Sequence, residues 1–249
     1  MERDELSRLA HAWHPVAAPL TDEAVARLLE RALPAGTDEY AGSRMLDLGC
    51  GRGEWLVRAL ERRPGLRAVG VDLSAGALAE ARESARRRGV EDRLELRTGD
   101  ANEAAGEGGY DLVACVGAAH AFGGLRGTIE AAGRHVAPGG RLLVGDGFWE
   151  GKPTPEAEEI FGEFPDLAGT VGLAVQAGWA PVYGHISTRE ELDEYEWCWT
   201  GALTAAALEP GFPAEDREQA LSLAAEHRAE WLRDYRDCFG FVCLVLQRS

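Results

Sequence analysis

The stretch Met45-Leu46-Asp47-Leu48-Gly49-Cys50-Gly51-Arg52-Gly53 sets three glycines at alternate positions directly behind a short apolar run. Without side chains the backbone can turn sharply there, and a ligand can reach the free N–H groups of a helix starting at the bend. Such a site suits a carboxylate or a phosphate. A second acidic residue, Asp72, closes Val69-Gly70-Val71-Asp72, nineteen residues beyond Gly53. A carboxylate so placed accepts hydrogen bonds from both hydroxyls of a ribose. The pair of motifs predicts a crevice for a nucleoside that carries an acidic group.

Two further groups stand where chemistry is expected. Ligands of open α/β sheets bind outside the carboxyl ends of the strands. His120 follows the apolar run Tyr110–Val116, and Asp146 ends the run Arg141–Gly145. Each is a candidate base facing a reacting group, and each also reads as a backbone-bonded loop or turn residue. His14 in His11-Ala12-Trp13-His14-Pro15, with Trp149, Tyr195 and Trp197, is a candidate for lining a substrate pocket. Aromatic residues at helical spacing serve equally well as core. The five cysteines form no C-x-x-C pair, the histidines show no metal-ligand spacing, and Lys152 is the only lysine. No metal site and no P-loop lysine is predicted.

The elements that must position these groups alternate. Thr21 can cap a helix over residues 21–33 with an apolar face at Ala24, Val25, Leu28, Leu29 and Ala32, ended by Pro34 and Gly36. Strands are expected over 44–48, 68–71, 93–98, 110–116 and 141–145, with helices over 54–62, 74–88 and 125–136 between them. Gly89 suits a left-handed cap. After Asp146 the rhythm changes. A strand is expected over 179–186, helical signals run over 187–238, and a last apolar strand covers 239–246. Ser187 with Glu190 and Thr188 with Glu191 both fit a capping box. Strands alternating with helices argue for a parallel α/β sheet with helices on both faces.

The order of these motifs resembles the class I S-adenosylmethionine (SAM)-dependent methyltransferases of the bacterial small-molecule type. The resemblance rests on Asp47 to Gly53, Asp72, Gly99-Asp100-Ala101, Tyr110-Asp111-Leu112-Val113 and Ala137-Pro138-Gly139-Gly140-Arg141-Leu142. It extends to Phe148-Trp149, a turn over Gly178 to Pro181, and an aromatic helix with Tyr195 and Trp197. It implies a Rossmann-like seven-stranded, mostly parallel sheet with an antiparallel last strand and a helical cap insertion. It also implies a single domain over 1–249: a helical extension at 1–36, a SAM-binding core at 40–150, substrate-cap insertions at 150–238 and a final strand at 239–249. Asp47, Gly49, Cys50, Gly51 and Gly53 would meet the methionine part of SAM, and Asp72 with Leu73 the ribose. Asp100 and Ala101 would border the adenine, and Cys115 with Val116 would lie under the sulfonium.

With 26 basic and 42 acidic residues the net charge is −16, which repels phosphate backbones. The arginines at 82, 86, 87 and 88 look like the dipole-favoured end of a helix. A small-molecule acceptor is expected, with no nucleic-acid or membrane partner, and a cytoplasmic location. The acceptor and the oligomeric state are not written in the sequence. Two other readings stay open: a non-catalytic SAM-binding regulator, and an NAD(P)-dependent oxidoreductase. The second is disfavoured because its fingerprint is G-x-G-x-x-G, not G-x-G-x-G.

Overall fold

The computed structural model describes residues 1, 3–33, 42–103 and 108–249. Pro34 and Gly36, expected to end a helix, lie outside the described residues. The chain divides into two compact units. The first comprises residues 1–20, 147–167 and 187–241; the second comprises 21–146, 168–186 and 242–249.

The second unit is built on the alternating part of the sequence. Its strands are β1 (Arg44–Leu48), β2 (Arg67–Asp72), β3 (Leu94–Thr98), β4 (Tyr110–Val116), β5 (Val136–Trp149), β6 (Trp179–Ile186) and β7 (Phe239–Arg248), the ends of β5 and β7 belonging to the first unit. They form one sheet in the order β3-β2-β1-β4-β5-β7-β6. β1 pairs in parallel with β2 and β4, β2 with β3, and β4 with β5, whereas β7 runs antiparallel to β6. This is the expected seven-stranded Rossmann-like sheet. Its order reverses between β1 and β4, which opens a crevice at their carboxyl ends.

β1 and β4 are buried almost throughout, as parallel strands covered on both faces must be. Leu46, Leu48, Leu112 and Leu143 are all but inaccessible, and each contributes roughly 2 kcal/mol by leaving water. Helices α2 (Asp22–Ala32), α3 (Glu54–Arg62), α4 (Ala75–Arg87), α5 (Leu125–Gly133) and α7 (Leu167–Gln176) belong to this unit. Thr21 caps α2 by accepting from the Ala24 N–H at 3.2 Å. Ser74 caps α4 through the Ala77 N–H at 3.0 Å, and Gly89 has a φ of +67°. Arg86 and Arg88 at the end of α4 are paired with Glu83 and with Glu54 and Glu61, so that stretch is a neutralised face.

The structure departs from the sequence reading at several points. α5 ends at Gly133 and β5 already starts at Val136, where the helix was expected to continue to 136 and the strand to start at 141. β5 runs three residues past Asp146, because apolar Phe148 and Trp149 continue the buried pattern beyond it. β6 spans the expected 179–186, so Pro181 lies inside the strand and not in the turn over Gly178 to Pro181 that the resemblance implied. Its register with β7 shifts between Pro181 and Tyr183, and an edge strand tolerates the missing donor. Helix α7 and one helix of the first unit, α6 (Pro155–Phe161), were not anticipated, whereas α1 (Arg3–Ala10) falls within the helical extension expected at 1–36.

The first unit is helical. α8 (Arg189–Leu208) and α9 (Ala214–Glu230) pack together with α1 through Leu6, Ala10, Leu203, Ala207, Ala220 and Ala224. Thr188 and Glu191 form the capping box of α8. Ser187 does not take part; its hydroxyl donates to the Pro19 carbonyl at 2.7 Å. A single π-helical turn, Trp231–Tyr235, follows α9. Among the described residues no helix is long and apolar enough to cross a membrane.

Candidate cofactor and acceptor sites

The glycine bend follows β1 at the middle of the sheet. Gly49, Gly51 and Gly53 have φ values of +75°, +51° and +70°, a region that side chains disfavour. Space is a second constraint at Gly49, where a Cβ would stand 2.5 Å from that of Ala118 behind β4. The N–H groups of Gly49 and Cys50 both donate to the Val71 carbonyl, at 2.9 and 3.0 Å. Gly53 is the N-cap of α3 and offers it no side-chain cap, so the first N–H groups of that helix remain available to a ligand.

Asp72, at the tip of β2, accepts from the Gly51 N–H at 2.7 Å through Oδ2 and from the Ser74 N–H at 2.8 Å through Oδ1. One carboxylate thus ties the bend to the start of α4. Each oxygen keeps lone-pair capacity for a further donor. Leu73 beside it is 73% exposed, an apolar side chain held in the open.

Asp47 is fully buried between Gly70 of β2 and Ala114 of β4. Burial, reinforced by the Asp72 charge, pushes its carboxyl up to about 8. Its Oδ2 has no hydrogen-bond partner. Burial also drives the thiols of Cys50 and Cys115 far up, with Asp47 and Asp72 adding for the first and Asp47 and Asp146 for the second. Buried thiols held in the protonated form are poor nucleophiles. Three aspartates therefore act on this part of the sheet, and the buried one keeps its proton until a partner is supplied.

Asp100 is exposed and accepts from the Asn102 N–H at 2.8 Å, while Ala101 is buried. Asn102, which the sequence reading passed over, reaches across and donates to the Ala121 carbonyl at 2.8 Å. It joins the loop after β3 to the 3₁₀ turn Ala119–Phe122 after β4. Only the neighbouring Gly-Asp-Ala motif pointed there. His120 stands exposed on that turn, and Asp146 is half-buried within β5. Val116 ends β4 with 8% of its surface exposed.

The four pocket candidates belong to the first unit, which brings two of them together. His14 packs edge-on against Tyr195 with ring centroids 5.3 Å apart, and His14 Nδ1 donates to the Val16 carbonyl at 2.6 Å. The Tyr195 hydroxyl bonds His11 Nε2 at 3.0 Å. Trp197, two residues along α8, points elsewhere; it is 52% exposed and edge-on to Trp231. Trp149 is buried among Phe161, Phe164 and Phe239.

Comparison with known proteins agrees with this geometry. A family model described as a methyltransferase domain matches residues 46–142. The 27-O-demethylrifamycin SV methyltransferase of Amycolatopsis mediterranei is 31% identical over 227 residues, covering 89% of this chain and 74% of that protein. The chain belongs to the SAM-dependent methyltransferases. This methyltransferase is also 30% identical over 257 residues to the uncharacterized protein YjhP of Escherichia coli, covering 99% of both. A SAM-dependent methyltransferase from Geobacter sulfurreducens, solved with S-adenosyl-L-homocysteine (SAH), superimposes with a TM-score of 0.87 at 25% identity, covering 98% of each chain.

SAM is the cofactor, and the residues present fit it. Its methionine end carries an ammonium and a carboxylate. The orphaned Asp47 oxygen would match the first once the carboxyl gives up its proton, and the uncapped N-terminus of α3 would match the second.

Proposed function

We propose that this methyltransferase acts on a small organic acceptor. The observation that carries the reading is the set of groups gathered in the first unit. The His14, Tyr195 and His11 rings meet there in a chain whose net charge is −16, a surface suited to an organic molecule and hostile to a phosphodiester. The name of the Amycolatopsis relative, an enzyme of rifamycin methylation, supports the same acceptor class. Within this reading the whole chain, 1–249, works as one methyltransferase domain in the cytoplasm. Asp47 holds the cofactor's ammonium, and the backbone of Gly49, Cys50, Gly51 and Gly53 lies along its methionine part. Asp72 and Leu73 take the ribose side, Asp100 and Ala101 the adenine side, and Cys115 and Val116 the floor. His120 and Asp146 are the candidates for the methyl end. Of the four pocket candidates His14 and Tyr195, which meet, line the acceptor pocket, while Trp149 and Trp197 are core and surface packing residues.

The cofactor supplies a methyl group on a positively charged sulfur, and the protein gains rate by aligning the acceptor with it in a dry site. The test is SAH formation across a panel of hydroxyl-, amine- and thiol-bearing small molecules, with DNA, RNA and mixed proteins as comparison acceptors. Turnover confined to the macromolecules would sink the acceptor class. Binding of SAH without turnover on any acceptor would favour a regulatory SAM-binding protein.

A further inference from the structure

The first residue of α3 is an acid, standing where the methionine carboxylate of the cofactor would be received. Glu54 directly follows the N-cap Gly53, which gives the first N–H groups of the helix no side-chain cap. A negative side chain in a first turn is drawn to those same N–H groups by the helix dipole. Glu54 is therefore a rival, tethered within the chain, for the place of a ligand anion.

Its carboxylate is nonetheless turned away. Arg58, one turn along α3, donates from Nε to Oε2 of Glu54 at 2.9 Å. Arg88, at the end of α4, reaches both oxygens through Nη1, at 3.4 Å to Oε1 and 3.2 Å to Oε2. Both arginines are themselves anchored. Arg58 Nη1 donates to Asp22 at the start of α2 at 2.6 Å. Arg88 Nε donates to Glu61 in the last turn of α3 at 2.9 Å, and Nη2 pairs with the other Glu61 oxygen.

Three helices thus converge on one carboxylate, whose side chain is only 11% exposed. A carboxylate so nearly buried is costly unless it is paired, and here it has two cations. The site beside it has its own mark of a ligand. Asp47, two residues before Gly49, keeps a buried oxygen without a hydrogen-bond partner, which suits the ammonium of the same amino acid. An unopposed Glu54 would put a second negative charge at the end meant for the carboxylate.

We propose that Arg58 and Arg88 keep the methionine-carboxylate site open, as positioning residues that draw Glu54 off the start of α3 and cancel its charge there. The proposal rests on the reading above that the bend takes the methionine part of SAM. Each arginine acts through Glu54.

The test is calorimetric titration of the full chain with SAH and with 5′-methylthioadenosine, which keeps the thioether nucleoside and lacks the amino acid. Arg88→Gln frees one side of Glu54 and should weaken SAH binding by about threefold, with 5′-methylthioadenosine unchanged. Combining Arg88→Gln with Glu54→Gln should restore SAH affinity, because the rival is gone. A merely structural Arg88 predicts otherwise: the double variant would bind no better than the single one. Glu54→Gln alone serves if Arg88→Gln fails to fold. It should tighten SAH binding by about threefold, since the two arginines lose their shared partner. Unchanged SAH affinity in Arg88→Gln, an equal loss of both ligands or an unrestored double variant would each overturn the proposal. So would a Glu54→Gln variant that binds SAH no better than the parent. The reading of the bend fails differently, in a parent protein that binds SAH no tighter than 5′-methylthioadenosine.

Discussion

The backbone N–H of Gly51 donates to the Asp72 carboxylate at 2.7 Å, joining the bend after β1 to the tip of β2. One side chain therefore both shapes the loop and faces the crevice. Asp72→Ala is expected to weaken SAH binding by about 1.5–3 kcal/mol, since it removes a charged hydrogen-bond acceptor. Calorimetric titration measures the loss, and an unchanged affinity would take Asp72 out of the site.

The glycines of the bend are not equivalent. Gly49→Ala adds a Cβ 2.5 Å from that of Ala118 and also strains a φ of +75°, whereas Gly51→Ala meets open space at +51°. The second change should cost roughly 1–2 kcal/mol from the left-handed backbone alone. Gly49→Ala should add about 1–3 kcal/mol more from overpacking. Thermal melts of the two variants should separate in that order, and equal melts would show that the Ala118 contact gives way freely.

Asp47 makes the unliganded fold sensitive to pH in a defined direction. Its carboxyl titrates at about 8 when folded, against 3.8 as the ordinary value, so the folded chain holds a proton that the unfolded chain sheds. Stability from this group is full below the ordinary value and declines as pH rises through about 8. Denaturant melts across that window should show the slope, and Asp47→Asn should flatten it. If the ammonium of the ligand meets Asp47, binding at neutral pH must release that proton. Titrations in two buffers of different ionisation enthalpy would then disagree in apparent heat.

Asn102 links the loop after β3 to the turn after β4 through Ala121. Asn102→Ala should lower SAH affinity by about 0.5–1.5 kcal/mol, the worth of a partly exposed hydrogen bond. The melting temperature should hardly move. A large drop in melting temperature with normal affinity would make Asn102 a structural tie only.

What the sequence disclosed and what it hid follow one physical division. The glycine bend, Asp72, the caps at Thr21 and Ser74 and the alternation of strands are local signals, and each lies where its spacing predicts. At Pro181 the apolar pattern indicated a strand and the resemblance a turn; the strand holds because a sheet edge tolerates the missing donor, and edge position is a property of topology. Asp146 looked terminal because glycines flank it, yet the strand continues where Phe148 and Trp149 restore burial. The hold of Arg88 on Glu54 carried no motif. The two lie 34 residues apart, at the end of α4 and the start of α3, and only packing brings the guanidinium within 3.4 Å of both carboxylate oxygens.

The wide turn at Trp231–Tyr235 makes the length of that segment as consequential as its chemistry. Removing one residue would restore ordinary winding there, but would carry everything downstream round by about 100° and back by about 1.5 Å. Strand β7 begins only four residues after Tyr235, so such a slip would exchange which of its side chains face each side of the sheet. This stretch can accept exchanged letters far more readily than a changed count of them.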